Sequence, residues 1–409
     1  MTLTARSRST LPQFLILYAA LYAGFGVQSP YLPSLLDSRG LRPEAIALAL
    51  AAGTAIRLVA GPAAGWLADR IDAPKVVLAL CSVAAAVMGL GYLTAQGISP
   101  LIAVGVLQSA ALAPLAPLSD TLALGSAAPA RSNRPIKRAF YYGWLRGVGS
   151  AAFILGLVSS GQIVGYFGIA IIVWLNAAFL AAAAFAALHV RQLLASGNAV
   201  QATATENWAR SIGALWRVPV YRRVLLIAAL ILGSHAMHDG FAMIRWSRAG
   251  IGPGTSGMLW SLSVAAEVLV FFFVGRPLLD RIGPAGAAML SAGAGIVRWA
   301  VMAETAWIPA MAVIEPLHGL TFALLHLTCM RLLAESVPRH LAATGLTLYG
   351  TVAIGSATVL LTLVSGSLFD RFGAHGFWGM AVLPAAALPF TWTLREPVVP
   401  VPGSRFRPR

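Results

Sequence analysis

Apolar stretches broken by short turns of glycine, proline and arginine fill nearly all of this 409-residue chain. In hydrocarbon a segment must satisfy its own backbone N–H and C=O groups, so stretches of about 20 residues that enter it fold as helices. Twelve of spanning length are read, at approximately residues 12–36, 44–69, 74–95, 98–124, 139–161, 167–190, 221–247, 254–280, 283–305, 307–335, 340–365 and 374–395. Glycine and proline are frequent inside them, as in membrane helices packed against one another. The expected fold class is an all-α polytopic membrane protein of twelve transmembrane helices in two pseudo-symmetric six-helix bundles.

Hydrophobic residues make up 58% of the chain and charged residues 11%, against roughly a quarter charged in an ordinary soluble domain. The net charge of +15 does not point to nucleic acid, because the bases gather on one side of the spans. An N-terminus placed inside puts Arg131, Arg134, Lys137, Arg138, Arg405, Arg407 and Arg409 on its own side. It leaves Arg39, Arg42, Arg245, Arg248 and Arg371 opposite. Both termini are therefore expected in the cytoplasm. Cys81 and Cys329 lie in apolar stretches without a partner motif, so neither a disulfide framework nor a zinc site is implied.

A small charged turn appears twice, at Gly65-Trp66-Leu67-Ala68-Asp69-Arg70 and at Gly275-Arg276-Pro277-Leu278-Leu279-Asp280-Arg281. Its two aspartates stand 211 positions apart. A repeat near half the chain length is the mark of a duplicated module, the plan on which many secondary transporters are built. The boundaries are then 1–190 as the first bundle, 191–220 as a cytoplasmic interdomain loop, 221–395 as the second bundle and 396–409 as a basic cytoplasmic tail. Gly65, Asp69 and Arg70 are read as a gating turn. Its glycine would permit close helix packing, and its acid and base would pair with each other or with helix ends.

A charge at membrane depth costs about 2.5–3.5 kcal/mol on insertion scales, so each one calls for a reason. Arg57 is alone at mid-depth of the second span, and a guanidinium that cannot discard its charge either finds a carboxylate or binds an anion. Asp120 and Arg146 run at similar depth and suit an ion pair, structural or substrate-binding. The densest group is Glu267, Arg298, Glu315 and His318, with Phe322 and His326 on the same face of span ten. A carboxylate and an imidazole one turn apart can share a proton. His326 is read first as bonding a backbone carbonyl between helices, and His235, His238 and Asp239 in span seven receive no role.

Enzyme readings find no support. No nucleotide loop of the G-x-x-x-x-G-K-[ST] kind occurs, Gly252-Pro253-Gly254 lacks a strand–turn–helix setting, and Ser261 and Ser263 have no base at a fixed spacing. Several stretches resemble the major facilitator superfamily, most closely the phenylpropionate permease family, a relative of the lactose permease group of proton symporters. They include Pro30-Tyr31-Leu32-Pro33, Arg57 before Gly61-Pro62, and Pro117-Leu118-Ser119-Asp120-Thr121-Leu122-Ala123. Gly143, Arg146, Gly149-Ser150 and Phe153 resemble that family's G-x-x-R-x-x-G-S-x-x-F. Leu259-Trp260-Ser261-Leu262 with Glu267, Val297-Arg298-Trp299, and Leu317-His318 with Thr321-Phe322 and His326 complete the set.

The resemblance implies sugar-site positions at Glu267 and Arg146 and a proton-coupling network at Arg298 and His318. The chain departs from the lactose permease group in carrying Thr321 where an acid is expected, with its acid at Glu315 instead. His238 and Asp239 stand where the phenylpropionate permeases have what resembles an aromatic pair. The resulting expectation is a proton-coupled symporter of the bacterial inner membrane that imports a small organic solute, first an aromatic carboxylate, by alternating access. Arg57, Asp120, Arg146 and Glu267 are expected to bind the solute. Glu267, Arg298, Glu315 and His318 are expected to handle the proton, which is the coupling ion with no other cofactor and no metal. The expected partners are the solute and the lipid bilayer, with no nucleic acid, and the state is a monomer. The alternatives are a proton antiporter that exports a drug or metabolite, and a transport-silent receptor.

Overall fold

A computed structural model describes residues 11–127, 142–190, 208–338 and 341–395. Arg131, Arg134, Lys137 and Arg138, most of the 191–220 loop and the 396–409 tail lie outside the described residues. Those described are helical almost throughout, without a strand. Ten stretches are long and apolar enough to cross a membrane. Two of them, Pro253–Glu304 with 52 residues and Thr344–Trp392 with 49, far exceed the roughly 20 residues that one crossing needs. The first is broken at Gly283 (φ 69°) and the second at Gly373 (φ 54°). Both have the left-handed backbone that glycine adopts without a Cβ clash. Divided at these two glycines, the ten stretches give twelve helical segments among the described residues.

The chain forms two compact units, Met1–Leu35 with Ile56–Ala199, and Leu36–Ala55 with Val200–Arg409. The first contains α1 (Leu11–Gln28) and the early residues of α2 (Leu32–Ser38), joined by the later turns of α3 (Pro43–Arg70). It continues with α4 (Pro74–Leu90), α5 (Ile98–Leu112), α6 (Leu115–Ala127), α7 (Tyr142–Phe167) and α8 (Ile171–His189). Proline near the start of α3 and α4 costs no hydrogen bond, because the first N–H groups of a helix have no partner within it.

In the first unit α1 packs on α7 and α8, and the α1–α7 contact is made glycine to backbone. A Cβ on Gly156 would stand 2.5 Å from the Ala23 carbonyl oxygen, and one on Gly26 would drive into the Phe153 carbonyl. Small residues that let backbones meet are how membrane helices associate without a hydrophobic driving force. Behind them runs a buried amide chain. Gln28 and Gln108 exchange a hydrogen bond at 2.9 Å, and Gln108 Nε2 reaches Asn176 Oδ1 at 3.3 Å. Asn176 in turn donates to the Gly24 carbonyl at 2.9 Å.

Gly156→Ala should therefore force α1 and α7 apart at a cost of about 1–3 kcal/mol, the usual range for overpacking. A lowered thermal unfolding midpoint of the purified protein would report it. Gly65 is the control, because a Cβ there meets no described atom within 4 Å. Gly65→Ala should change stability by less than about 0.5 kcal/mol. The close packing expected at Gly65 is accordingly absent among the described residues, whereas Gly275 in the second copy of the turn does lie against Val270 and Leu327.

The second unit comprises α9 (Trp208–Trp216), α10 (Pro219–Gly233), α11 (Ala236–Arg248), α12 (Pro253–Leu269), α13 (Gly275–Glu304, interrupted at Gly283), α14 (Ile308–Ile314), α15 (Leu325–Ser336), α16 (Ala342–Leu348), α17 (Ala357–Phe372) and α18 (Phe377–Trp392). Segment 36–55 packs with it, so this piece of the 1–190 bundle lies in the second unit. Arg42 and Asp370 pair at 2.6 Å and Asp37 and Arg248 at 3.0 Å. Gly366 leaves room for Pro43, Glu44 and Ala47.

Three of this unit's helices widen into π-helical turns, at Val270–Val274, Gly319–Leu324 and Tyr349–Ser356. A 3₁₀ turn at Glu315–Leu317 precedes the middle one. Such departures from the α-helix concentrate where a chain is bent to a task.

Candidate functional site

Pro316 has no N–H to give a helix ladder, and the chain tightens there into the 3₁₀ turn that carries Glu315. Glu315 and, on α13, Arg298 are both 0% exposed and pair at 2.8 Å, Nη2 to Oε2. Ser263 of α12 donates its hydroxyl to the same Oε2, and its Oγ also lies 3.0 Å from the Glu315 carbonyl. On the other carboxylate oxygen, Oε1, stands His238 Nε2 of α11 at 3.2 Å. Two opposite charges removed from water are tolerable only when they pair and their remaining lone pairs and protons find partners. Glu315 meets that condition on both oxygens.

Arg298 has a second arm. Its Nη1 donates to His318 Nδ1 at 3.0 Å, and His318 Nε2 lies 3.5 Å from Glu267 Oε2. A guanidinium only donates, so Nδ1 of His318 must be the bare nitrogen and Nε2 must carry the hydrogen. While Arg298 holds this position, His318 is neutral and its N–H faces Glu267, which is 28% exposed. Trp299 lies beneath the guanidinium, 4.6 Å from Cζ to the ring centroid, and its indole N–H is bound to Ser234 Oγ at 2.8 Å. His235 Nδ1 faces the Leu232 carbonyl at 3.0 Å and Nε2 faces Thr321 Oγ1 at 2.9 Å.

The rings of His318, Phe322 and His326 form a stack, each adjoining pair within 9° of parallel and 5.3 and 6.4 Å apart. His326 reaches the Tyr349 hydroxyl at 3.3 Å, so its neighbours are a side chain and a ring stack. Glu315 and His318 share no hydrogen bond with each other. The direct proton-sharing pair expected from their spacing is replaced by two separate links, Glu315 to His238 and His318 to Glu267, which meet at Arg298. The cause is the tight turn at Pro316 and the wide turn at Gly319–Leu324 just after it, which set the two side chains to different partners. Among the described residues no three His, Cys, Asp or Glu are grouped to hold a metal ion.

In the first unit, Asp120 and Arg146 stand 4.0 Å apart, at the outer limit of an ion pair and with 31% and 44% of the side chain exposed. Two tyrosines of α1, stacked at 5.7 Å, take the closer contacts. Tyr18 donates to Asp120 at 2.5 Å, and Arg146 donates to the Tyr22 hydroxyl at 2.6 Å. Gly149, one turn after Arg146, leaves space for the Tyr22 ring, since a Cβ there would lie 3.2 Å from it. Arg57 on α3 is exposed and makes neither a hydrogen bond nor an ion pair with a described residue.

In the turn that ends α3, Arg70 lies over Trp66 at 5.2 Å, and Asp69 offers its backbone carbonyl to Asp72, which has φ 48°. In the second copy Asp280 pairs with Arg331 of α15 at 2.8 Å. Of the side chains that complete these two groups, His238 and Ser263 are named in the sequence without a role in the site, and Tyr18 and Tyr22 are not singled out there. Three of the four carry a faint signal, with Tyr18 and Tyr22 four residues apart on one helix face and His238 three after His235.

Known proteins resemble the chain over nearly its full length. A family model described as "MFS_1 like family" matches residues 11–380. A probable 3-phenylpropionic acid transporter of Escherichia coli (strain K12) is 29% identical over 94% of this chain and 96% of its own. The maltose permease of Geobacillus stearothermophilus is 25% identical over 90% and 89%. Among solved structures, the nucleoside transporter NupG superposes with a TM-score of 0.74 at 18% identity, over 94% of this chain and 98% of its own. That likeness speaks for the fold alone.

Proposed function

The chain belongs to the MFS_1-like family of membrane transporters, and on that premise we propose a proton-coupled importer of a small aromatic carboxylate. Family and relatives are transporters and not enzymes. The observation that carries the proton reading is the wholly buried Arg298–Glu315 pair, bracketed by His238 on one arm and by His318 with Glu267 on the other. A fixed cation balanced by carboxylates through imidazoles changes its net charge when one proton arrives, and a group of that kind at membrane depth is costly without a task. Taking up a proton makes the cluster less negative, which favours an anionic solute in the same protein.

The carboxylate reading is supported by Arg57 and Arg146. Both cations are exposed in the first unit, and the relative named for 3-phenylpropionic acid shares nearly the whole chain. Tyr22, stacked on the buried Tyr18, adds flat apolar surface beside Arg146, suited to an aromatic ring. The arginine distribution supports an orientation with both termini in the cytoplasm, and the same reading places the carrier in the bacterial inner membrane.

Arg146→Lys tests the solute assignment. The substitution keeps the charge and loses the planar fork that holds a carboxylate by two parallel bonds. Affinity for 3-phenylpropionate, measured by calorimetry on purified protein, should weaken by about 1.5–3 kcal/mol, the range for a hydrogen bond to a charged group. Unchanged affinity would return Arg146 to a purely structural role beside Asp120 and Tyr22.

A further inference from the structure

His238 has a carboxylate at each ring nitrogen. Nδ1 lies 3.4 Å from Asp239 Oδ1 and Nε2 lies 3.2 Å from Glu315 Oε1. The two acids differ in their surroundings, since the Asp239 side chain is 60% exposed and that of Glu315 is 0% exposed. The imidazole between them is itself buried, flanked by Trp246, Trp260 and Trp299 at ring distances of 6.0, 4.5 and 5.9 Å. We propose that Asp239, His238 and Glu315 form a proton relay that carries one proton from the exposed carboxyl to the buried one. The proposal rests on the proton-coupled reading above and assigns it an access route.

The step balances within these three groups. The O–H bond of a protonated Asp239 breaks as Nδ1–H of His238 forms. The Nε2–H bond then breaks as an O–H forms on Glu315, leaving Asp239 a carboxylate and Glu315 neutral. A second contact makes the transfer consequential. Arg298 Nη2 lies 3.4 Å from the same Nε2, and a guanidinium can donate there only when Nε2 is bare. A protonated Nε2 serves Glu315 and a bare one serves Arg298, so the two contacts are mutually exclusive. Passing the proton to Glu315 removes the charge that pairs with Arg298 and, in the same event, offers Arg298 a new acceptor. The groups facing the relay are Asp239 on α11, Glu315 on the turn after α14 and Arg298 on α13. His318 and His235 lie behind, 5.1 Å apart ring to ring.

The test uses the full chain in liposomes, with 3-phenylpropionate uptake driven by an imposed pH gradient. Asp239→Asn should slow uptake by about tenfold or more, the low side of what a positioned proton donor contributes. Millimolar azide, a small diffusible acid, should restore it. In wild-type protein with ¹⁵N-labelled histidine, the hydrogen on the His238 ring should pass from Nε2 to Nδ1 as the pH is lowered, the tautomer change that the relay leaves behind. A wild-type rate in Asp239→Asn, a deficit that azide leaves in place, or a His238 ring that stays in one neutral form would each overturn the relay. Absence of pH-driven uptake in the wild type would overturn the proton-coupled reading instead, and the resonance measurement then decides the relay independently.

Discussion

Arg298→Met should destabilise the protein by about 3–5 kcal/mol, because it leaves Glu315 as an uncompensated charge in a fully buried place. The loss falls on several contacts at once. Glu315 Oε2 forfeits its 2.8 Å partner, Nδ1 of His318 loses its donor, and Trp299 loses the cation above its face. Arg298→Met combined with Glu315→Leu should recover most of that stability, since apolar residues of similar volume often replace a buried pair without net cost. Thermal unfolding of the single and double variants in detergent measures both effects. The double variant should fold and transport nothing against a gradient. A single variant as stable as wild type would show that the pair is not buried in the membrane-embedded protein.

Glu267→Gln should have the opposite profile, leaving stability within about 0.5 kcal/mol, because this end of the cluster is partly exposed and the glutamine oxygen can still accept from His318. Its pH-driven uptake should fall by about 100-fold or more, the scale on which positioned acids and bases act. Glu267 is the partly exposed end of the arm that runs from Arg298 through His318, and glutamine keeps the shape while removing the titrating oxygen. Parallel measurement of the unfolding midpoint and of initial uptake of 3-phenylpropionate separates the two variants. Full uptake in Glu267→Gln would remove that arm from proton coupling.

The all-helical membrane fold was legible in the sequence because lipid imposes one rule on every residue of a span. The two breaks, at Gly283 and Gly373, fall at the edges of the stretches read as 283–305 and 374–395. The cluster was legible only in part. Arg298, Glu315, His318 and Glu267 announce themselves as charges in apolar surroundings, but their pairing cannot be had from spacing. His238 is 77 positions from Glu315, and Ser263 is 52. Serine is ordinary in a membrane helix, so nothing in its local sequence marks Ser263 as the hydroxyl that completes a carboxylate. The duplicated turn illustrates the converse. Its motif is plain, yet Asp280 finds Arg331 on another helix while Arg70 lies over Trp66. A shared pattern in two halves does not dictate shared contacts.

The widened turn at Gly319–Leu324 has a bearing on how such a helix can change over generations. In a regular helix a step of four residues overshoots a full turn, since a turn takes 3.6. A wider turn absorbs the excess, in keeping with the near-parallel rings of His318, Phe322 and His326 across it. A turn that holds a surplus residue also uncouples the azimuth of the residues on its N-terminal side from that of the residues on its C-terminal side. Insertion or loss of one residue there would swing Glu315 and His318 by about 100° against α15 while leaving the buried face of α15, from Leu325 to Ser336, in register. Ion chemistry at one end of this helix and anchorage at the other are thus separately heritable. A lineage can reset its buried charge cluster by a single codon without re-solving how the helix is held.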